Sequence, residues 1–145
     1  MREHSSNDFG PVGLLDANAE SDAIPLGVEW IIDASGCQAE SLRDRPSIEA
    51  FIAELMTALR LTAASPPVVH PFPGEGGITA MVLLTESHLT IHTFPEHHAL
   101  TLNAYCCKRR PAFDWERAVR ERFGAKLVVV RELERRAILR REDAP

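Results

Sequence analysis

Residues 78–94 read ITAMVLLTESHLTIHTF, and this stretch decides the fold. Its first half, 78–85, is a nearly continuous run of apolar and β-branched residues, which is typical of a central strand. Its second half, 88–94, alternates polar with apolar residues, as a strand with one buried face does. Because only Glu86 and Ser87 separate the two halves, we predict that they pair as antiparallel neighbours.

Four further runs predict strands around this pair. Residues 28–34 are rich in β-branched and aromatic side chains and end at a Ser-Gly turn. Residues 99–106 alternate again, and residues 126–133 supply a last strand. Residues 68–72 are short and limited by proline, which suits the edge of a sheet.

Two segments predict helices. The first begins at Pro46, and its apolar side chains recur at three- and four-residue steps, which gives one stripe to lay on a sheet. This stripe consists of Ile48, Phe51, Ile52, Leu55, Met56 and Leu59. The second helix is capped by Asp114 and stopped by Gly124. The order strand, helix, strands, helix, strand predicts an α/β (α+β) fold: a two-layer sandwich with a mainly antiparallel sheet and both helices on one face.

Composition fits one domain with one core. The chain has 145 residues, of which 45% are hydrophobic, and we predict a single domain over residues 26–136. Residues 1–25 show neither a helical nor a strand period and are expected to form a flexible tail. Residues 137–145 are predicted to be a charged tail.

Several classes of protein are disfavoured by the sequence. No apolar run approaches the roughly 20 residues that a bilayer span needs, and the polar, acidic start is unlike a secretory signal. We therefore expect a cytoplasmic protein with no membrane partner. The net charge is -5, and the arginines after Cys107 alternate with acidic residues, so we expect no nucleic-acid partner.

The candidate ligands predict no metal site. His88 and His92 would lie about 13 Å apart along a strand, too far to share one ion. The three cysteines form neither a disulfide framework nor a paired zinc motif. Pyridoxal phosphate is not expected either, because the chain has only Lys108 and Lys126 as lysines and no evident phosphate cradle.

The bond between Glu86 and Ser87 is followed by the pattern His-x-Thr-x-His-Thr-aromatic-Pro-Glu. This segment resembles the self-cleavage segment of the short prokaryotic S-adenosylmethionine decarboxylase proenzymes, which depend on a pyruvoyl group. The resemblance implies cleavage between Glu86 and Ser87, with Ser87 becoming the pyruvoyl group at the head of chain 87–145. Residues 1–86 would form the other subunit, and the family forms dimers of processed protomers with active sites near the interface.

The resemblance also implies roles for individual residues. Ser87 attacks the carbonyl of Glu86, His92 accepts the α-proton in the elimination, and Cys107 later donates a proton to the substrate. Thr79 stands where the family has a serine that assists cleavage. The substrate amine would form a Schiff base with the pyruvoyl carbonyl, which serves as the electron sink for decarboxylation. The residues expected to bind substrate are Glu96, Phe94 and Phe72.

Three functions remain open at this point. The first is decarboxylation of S-adenosylmethionine for polyamine biosynthesis, since Phe94 and Phe72 offer aromatic faces for adenine or a sulfonium. The second is decarboxylation of ornithine or arginine on the same fold, because Glu96 could pair with a distal cation and Asn103 stands where the resemblance predicts an acid. The third is a non-catalytic binding or regulatory module, which self-cleavage would exclude.

Overall fold

The protein, described here by a computed structural model, has six strands and three α-helices within residues 23–138, the part of the chain that the structure describes. The strands are β1 (Ala23–Ser35), β2 (Val68–Pro71), β3 (Ile78–Leu84), β4 (Ser87–Phe94), β5 (Ala99–Cys106) and β6 (Leu127–Ile138). The helices are α1 (Ala39–Leu42), α2 (Arg45–Ala58) and α3 (Trp115–Phe123).

All six strands join one sheet in the order β2-β3-β4-β5-β1-β6. The predicted pairing of residues 78–94 is confirmed, with Leu84 opposite Ser87 at the turn and Thr79 opposite His92 at the far end. Strand β2 lies at the edge, as its proline predicts. Two ion pairs link β1 to β6, Asp33 with Arg131 and Glu29 with Arg135. Residue numbers fall along β1 as they rise along β6, so the two strands run antiparallel.

The core lies between one face of the sheet and the helices. Helix α2 buries Ile48, Phe51, Ile52 and Leu55, and α3 buries Trp115, Val119 and Phe123. The rings of Phe51 and Phe123 meet edge to face at 5.2 Å, which joins the two helices above the sheet. The predicted two-layer α+β sandwich is therefore confirmed.

The opposite face of the sheet, here called the open face, carries the other set of alternating side chains. Thr79, Met81 and Leu83 lie on it in β3, and His92 lies beside Thr79 in β4. Met81 and Leu83 are 50% and 57% exposed, so apolar surface remains uncovered there in the single chain.

Some boundaries differ from the sequence-based prediction. β1 begins at Ala23 instead of residue 28, and β6 continues to Ile138 instead of ending at residue 133. The ion pair between Glu29 and Arg135 shows that β6 continues beside β1 past residue 133, because cross-strand ion pairs do not need an apolar pattern. Helix α1 was not predicted, since four residues are too short to show a helical period.

The chain divides into two compact units, Pro25–Arg136 and a second unit made of the two chain ends. Of that second unit only residues 23–24 and 137–138 are described, and all four are in strand conformation. The remainder of the two predicted tails lies outside the described residues, so the predicted domain boundaries stay predictions. Within residues 23–138, no helix is long and apolar enough to cross a bilayer.

Candidate active site

The bond between Glu86 and Ser87 lies at the tight turn between β3 and β4. Ser87 opens β4 opposite Cys106 of β5, and its side chain is partly buried. Its backbone φ angle is 151°, a region that residues other than glycine rarely adopt and that stores on the order of 1–3 kcal/mol of strain. The backbone is therefore strained at the bond for which the sequence predicts cleavage.

The carbonyl group of Glu86 is held by the turn that follows β5. The backbone N–H of Cys107 donates a hydrogen bond to the Glu86 carbonyl oxygen at 3.1 Å. Such a donor polarises the carbonyl and stabilises negative charge that develops on its oxygen during attack by a nucleophile. This hydrogen bond is consistent with attack on the Glu86 carbonyl by the Ser87 hydroxyl, which stays a prediction.

The side chain of Glu86 lies between two cations. Lys108 Nζ is 2.5 Å from Oε1, and Arg110 Nη2 donates a hydrogen bond to Oε2. The hydrogen bond from Lys108 and the charge of both cations hold the pKa of the Glu86 carboxyl below its ordinary value. Glu86 is therefore fixed at both its backbone and its side chain.

The two adjacent cysteines have different surroundings. Cys106 is fully buried, and burial raises the pKa of its thiol, whereas Cys107 is exposed. Gly27 of β1 passes close behind them: a Cβ at Gly27 would lie 2.1 Å from the Cys106 carbonyl oxygen and 2.8 Å from the Cys107 Cα. Only glycine permits this approach, so Gly27 positions Cys107. Sequence reasoning missed it, although a glycine beside a strand pattern is a signal of close backbone approach.

A second group of predicted site residues lies at the other end of β3 and β4. Thr79 Oγ1 and His92 Nδ1 are hydrogen-bonded at 3.0 Å, which orients the imidazole ring. Both residues line a cleft of about 400 Å³ whose wall also includes Phe72, Phe94 and Glu96. Five of the eight residues predicted from the sequence are therefore brought together in one cleft, while their roles stay predictions.

The two groups are far apart within one chain. Ser87 pairs with Cys106 and His92 pairs with Thr101, so they stand five positions apart on the same continuous strand. At the usual rise per residue this separation is about 17 Å. A histidine side chain cannot span that distance, so His92 does not reach the Ser87 of its own chain.

Thr93 holds the strand that carries His92 and Phe94. Its side chain is 5% exposed, its hydroxyl donates to the Leu42 carbonyl at 2.7 Å, and it accepts from the Ile78 N–H at 2.8 Å. The hydroxyl thus ties the end of α1 and the start of β3 to β4. Nothing in the sequence pattern identifies this role, because the partners are 51 and 15 residues away.

We expect Thr93→Val to destabilise the protein by about 1–3 kcal/mol, because the shape is kept while a buried N–H and a carbonyl lose their partner. Urea unfolding at fixed protein concentration measures the change, in a Ser87→Ala background so that only one chain is present. Thr93→Ser keeps the hydroxyl and serves as the matched control. Equal stability of the valine variant and its parent would contradict the assigned role.

A row of polar side chains crosses the centre of the open face. Asn103 Nδ2 donates to Glu29 Oε1 at 2.7 Å, and Asn103 Oδ1 lies 3.1 Å from His88 Nε2. The amide oxygen can only accept, so His88 carries its proton on Nε2. The Asn103 hydrogen bond, together with Arg135, lowers the pKa of Glu29. Asn103 therefore links an acid to a histidine at the position where the resemblance predicts an acid.

A larger cleft, about 760 Å³, includes Cys107 in its wall together with Trp30, Phe113 and Trp115. Sequence reasoning assigned no function to these aromatic residues. Within residues 23–138, no group of three or more histidine, cysteine or acidic side chains is placed to hold a metal ion.

Comparison with known proteins identifies the family. A family model described as S-adenosylmethionine decarboxylase matches residues 28–136. The S-adenosylmethionine decarboxylase proenzyme of Bacillus cytotoxicus is 36% identical over 86 residues, which are 59% of this chain and 64% of that protein. The proenzyme of Pyrobaculum neutrophilum is 32% identical over 87 residues, 55% of this chain and 67% of that protein.

Among solved structures, the adenosylmethionine decarboxylase of Aquifex aeolicus superposes with a TM-score of 0.65 and 26% identity. The superposition covers 83% of this chain and 98% of that chain. The matched segment thus spans somewhat less than two thirds of the Bacillus relative but nearly all of the Aquifex structure. Because the family model covers residues 28–136, which include both long helices and most of every strand, this chain belongs to the S-adenosylmethionine decarboxylase family.

Proposed function

We propose that the protein is a self-processing, pyruvoyl-dependent decarboxylase whose substrate is S-adenosylmethionine. The observation that carries the proposal is the geometry at Glu86 and Ser87, where a strained serine follows a carbonyl that already accepts a hydrogen bond from Cys107. A pyruvoyl group derived from Ser87 fits this position, because the chemistry that makes it begins with attack on that carbonyl.

In the first step the Ser87 hydroxyl oxygen attacks the carbonyl carbon of Glu86. The amide C–N bond breaks, the nitrogen takes up a proton, and an ester joins Glu86 to the serine oxygen. Because nucleophile and electrophile are adjacent in the chain, no bimolecular encounter is required, and held geometry lowers the barrier by several kcal/mol. The Cys107 N–H stabilises the oxyanion formed on the way.

In the second step a base removes the α-proton of Ser87, and the bond from Cβ to the ester oxygen breaks. The electron pair leaves with the Glu86 carboxylate, which separates residues 1–86 from residues 87–145. Water then hydrolyses the remaining dehydroalanine amine to the pyruvoyl carbonyl and ammonia. His92 is the assigned base, since a neutral imidazole nitrogen can accept a proton and Thr79 orients the ring.

The pyruvoyl carbonyl supplies the electron sink for the carbanion that remains when carbon dioxide leaves, without a metal ion or pyridoxal phosphate. Cys107, which is exposed at the end of β5, is the assigned donor of the proton that completes the product. Phe72 and Phe94 bind the adenine ring or the sulfonium cation, and Glu96 accepts hydrogen bonds from the ribose hydroxyls.

The active unit is a homodimer in this proposal. Ser87 and the thiol of Cys107 lie at one end of β4 and β5, and His92 lies at the other end. About 17 Å separates Ser87 from His92 within one chain. A second copy that covers the open face brings its Thr79 and His92 to this chain's Ser87, and it also buries the exposed Met81 and Leu83. No membrane or nucleic acid takes part, and the location is cytoplasmic.

Self-cleavage and carbon dioxide release test the function together. Intact mass after incubation should show two chains, with a ketone-bearing residue 87 at the start of the second. Processed protein should then release carbon dioxide from S-adenosylmethionine and not from ornithine or arginine. A chain that never cleaves would instead favour a binding module. Turnover of ornithine or arginine without turnover of S-adenosylmethionine would change the substrate assignment and leave the role of Ser87 unchanged.

A further inference from the structure

Arg110 is held firmly beside the cleavage bond. Its side chain is 13% exposed, its Nη1 donates to the Arg60 carbonyl at 3.0 Å after α2, and its Nη2 donates to the Glu86 carboxylate. The second cation, Lys108, is 70% exposed and is therefore weaker as a fixed partner. The guanidinium thus joins the scissile residue to the helical layer.

One donor of Arg110 has no oxygen acceptor, and the guanidinium lies beside the buried thiol of Cys106. Its Nε atom is buried and makes no hydrogen bond within the described residues. A buried N–H of a charged group left without an acceptor is unfavourable, and native proteins rarely leave one. The buried guanidinium of Arg110 therefore keeps one donor free of an oxygen acceptor in the uncut chain.

The strand end that precedes the cut is tethered independently of Ser87. The Thr85 N–H donates to the Thr62 carbonyl at 2.9 Å, and the Ala64 N–H donates to the Leu83 carbonyl at 2.8 Å. These bonds involve only residues of the upstream chain, so cleavage does not break them. Glu86 consequently stays beside Arg110 after it becomes a chain end.

We propose that Arg110, assisted by Lys108, is a positioning residue for self-cleavage that stabilises the carboxylate released from Glu86. The inference rests on the proposed function. Before cleavage one carboxylate faces two cations; afterwards Glu86 carries two carboxylates, its side chain and its new chain end. Cleavage therefore balances the two cations with two carboxylates and adds a carboxylate acceptor on the residue that Arg110 already contacts.

Ester formation and elimination depend differently on the positive charge of the Arg110 guanidinium. During attack by Ser87, negative charge on the Glu86 oxygen is transient and is met by the Cys107 N–H. During elimination, the bond from Ser87 Cβ to the ester oxygen breaks and its electron pair stays on the departing Glu86 carboxylate, which therefore gains a full negative charge. Loss of the Arg110 guanidinium should therefore slow elimination more than ester formation.

The test compares Arg110→Gln with Arg109→Gln, a matched control on the adjacent exposed arginine. Full-length chain is sampled over time, denatured and treated with hydroxylamine, which cleaves an ester but not the amide. We expect Arg110→Gln to process about tenfold more slowly and to accumulate hydroxylamine-sensitive chain. Arg109→Gln should process at the wild-type rate. Millimolar guanidinium should partly restore the rate of Arg110→Gln, which a purely structural defect would not show.

The proposal is overturned if Arg110→Gln processes at the wild-type rate, or if its uncut chain resists hydroxylamine entirely. If that variant does not fold, Arg110→Lys keeps a cation and should show smaller but detectable ester accumulation, and amide alone in its uncut chain would again overturn the proposal. A wild-type chain that never cleaves is a separate result, because it removes the proposed function itself.

Discussion

Ser87→Ala is expected to remain one full-length chain under conditions in which the wild type is cleaved completely. The variant lacks the only hydroxyl adjacent to the Glu86 carbonyl that can attack through a five-membered transition state. Without an intramolecular nucleophile, the bond is an ordinary amide, and the advantage of a tethered reactant is lost. The fold should persist, because one hydroxyl is removed at a partly buried turn.

Intact mass and a denaturing gel measure this outcome, and carbon dioxide release should be absent as well. Ser65→Ala provides the control, since Ser65 is exposed in the segment after α2 and lies outside the turn. It should process normally. Cleavage of the Ser87→Ala chain at the same bond would show that another group is the nucleophile.

Chains that carry Ser87→Ala and chains that carry His92→Ala are expected to complement each other when they form hybrid dimers. Neither variant alone should complete cleavage, because one lacks the nucleophile and the other lacks the base. In a hybrid dimer, the intact Ser87 of the His92→Ala chain meets the intact His92 of its partner. The His92→Ala chain should therefore be cleaved in hybrids, while the Ser87→Ala chain stays whole.

Different affinity tags allow the hybrid to be purified and each chain to be followed by mass. His97→Ala is the matched control: this histidine is exposed in the turn after β4, and the variant should cleave without a partner's help. Hybrid dimers that leave the His92→Ala chain intact would contradict a shared site. So would a monomeric wild type at micromolar concentration that retains full activity.

The local elements followed from the sequence because their signals are local. The three- and four-residue spacing along α2 and the alternation in β4 and β5 report which side of each element is buried, and the Asp114 cap reports where α3 begins. Asp114 accepts from the Arg117 N–H at 3.0 Å, as its position at the helix start predicts. The family resemblance likewise depends on a continuous segment, residues 86–96, and the family model confirms it.

The cleft at one end of β4 was only partly foreseeable. Thr79, His92, Phe94 and Glu96 were identified by resemblance, and the register of β3 against β4 brings Thr79 beside His92. Phe72, the third residue expected to bind substrate, lines the same cleft. The roles of these residues in catalysis and binding stay predictions until the variants are measured.

Other features were decided only by the tertiary structure, because they join residues distant in sequence. The register of the strands places Ser87 and His92 five positions apart along β4, and this separation is the reason why a site shared between two copies is proposed. Close packing makes Gly27 obligatory behind Cys107, and it buries the Thr93 hydroxyl between α1 and β3. The turn after β5 brings Arg110 to Glu86. Sequence periodicity reports which face of an element is buried, whereas approach between elements depends on how the whole sheet and its helices pack.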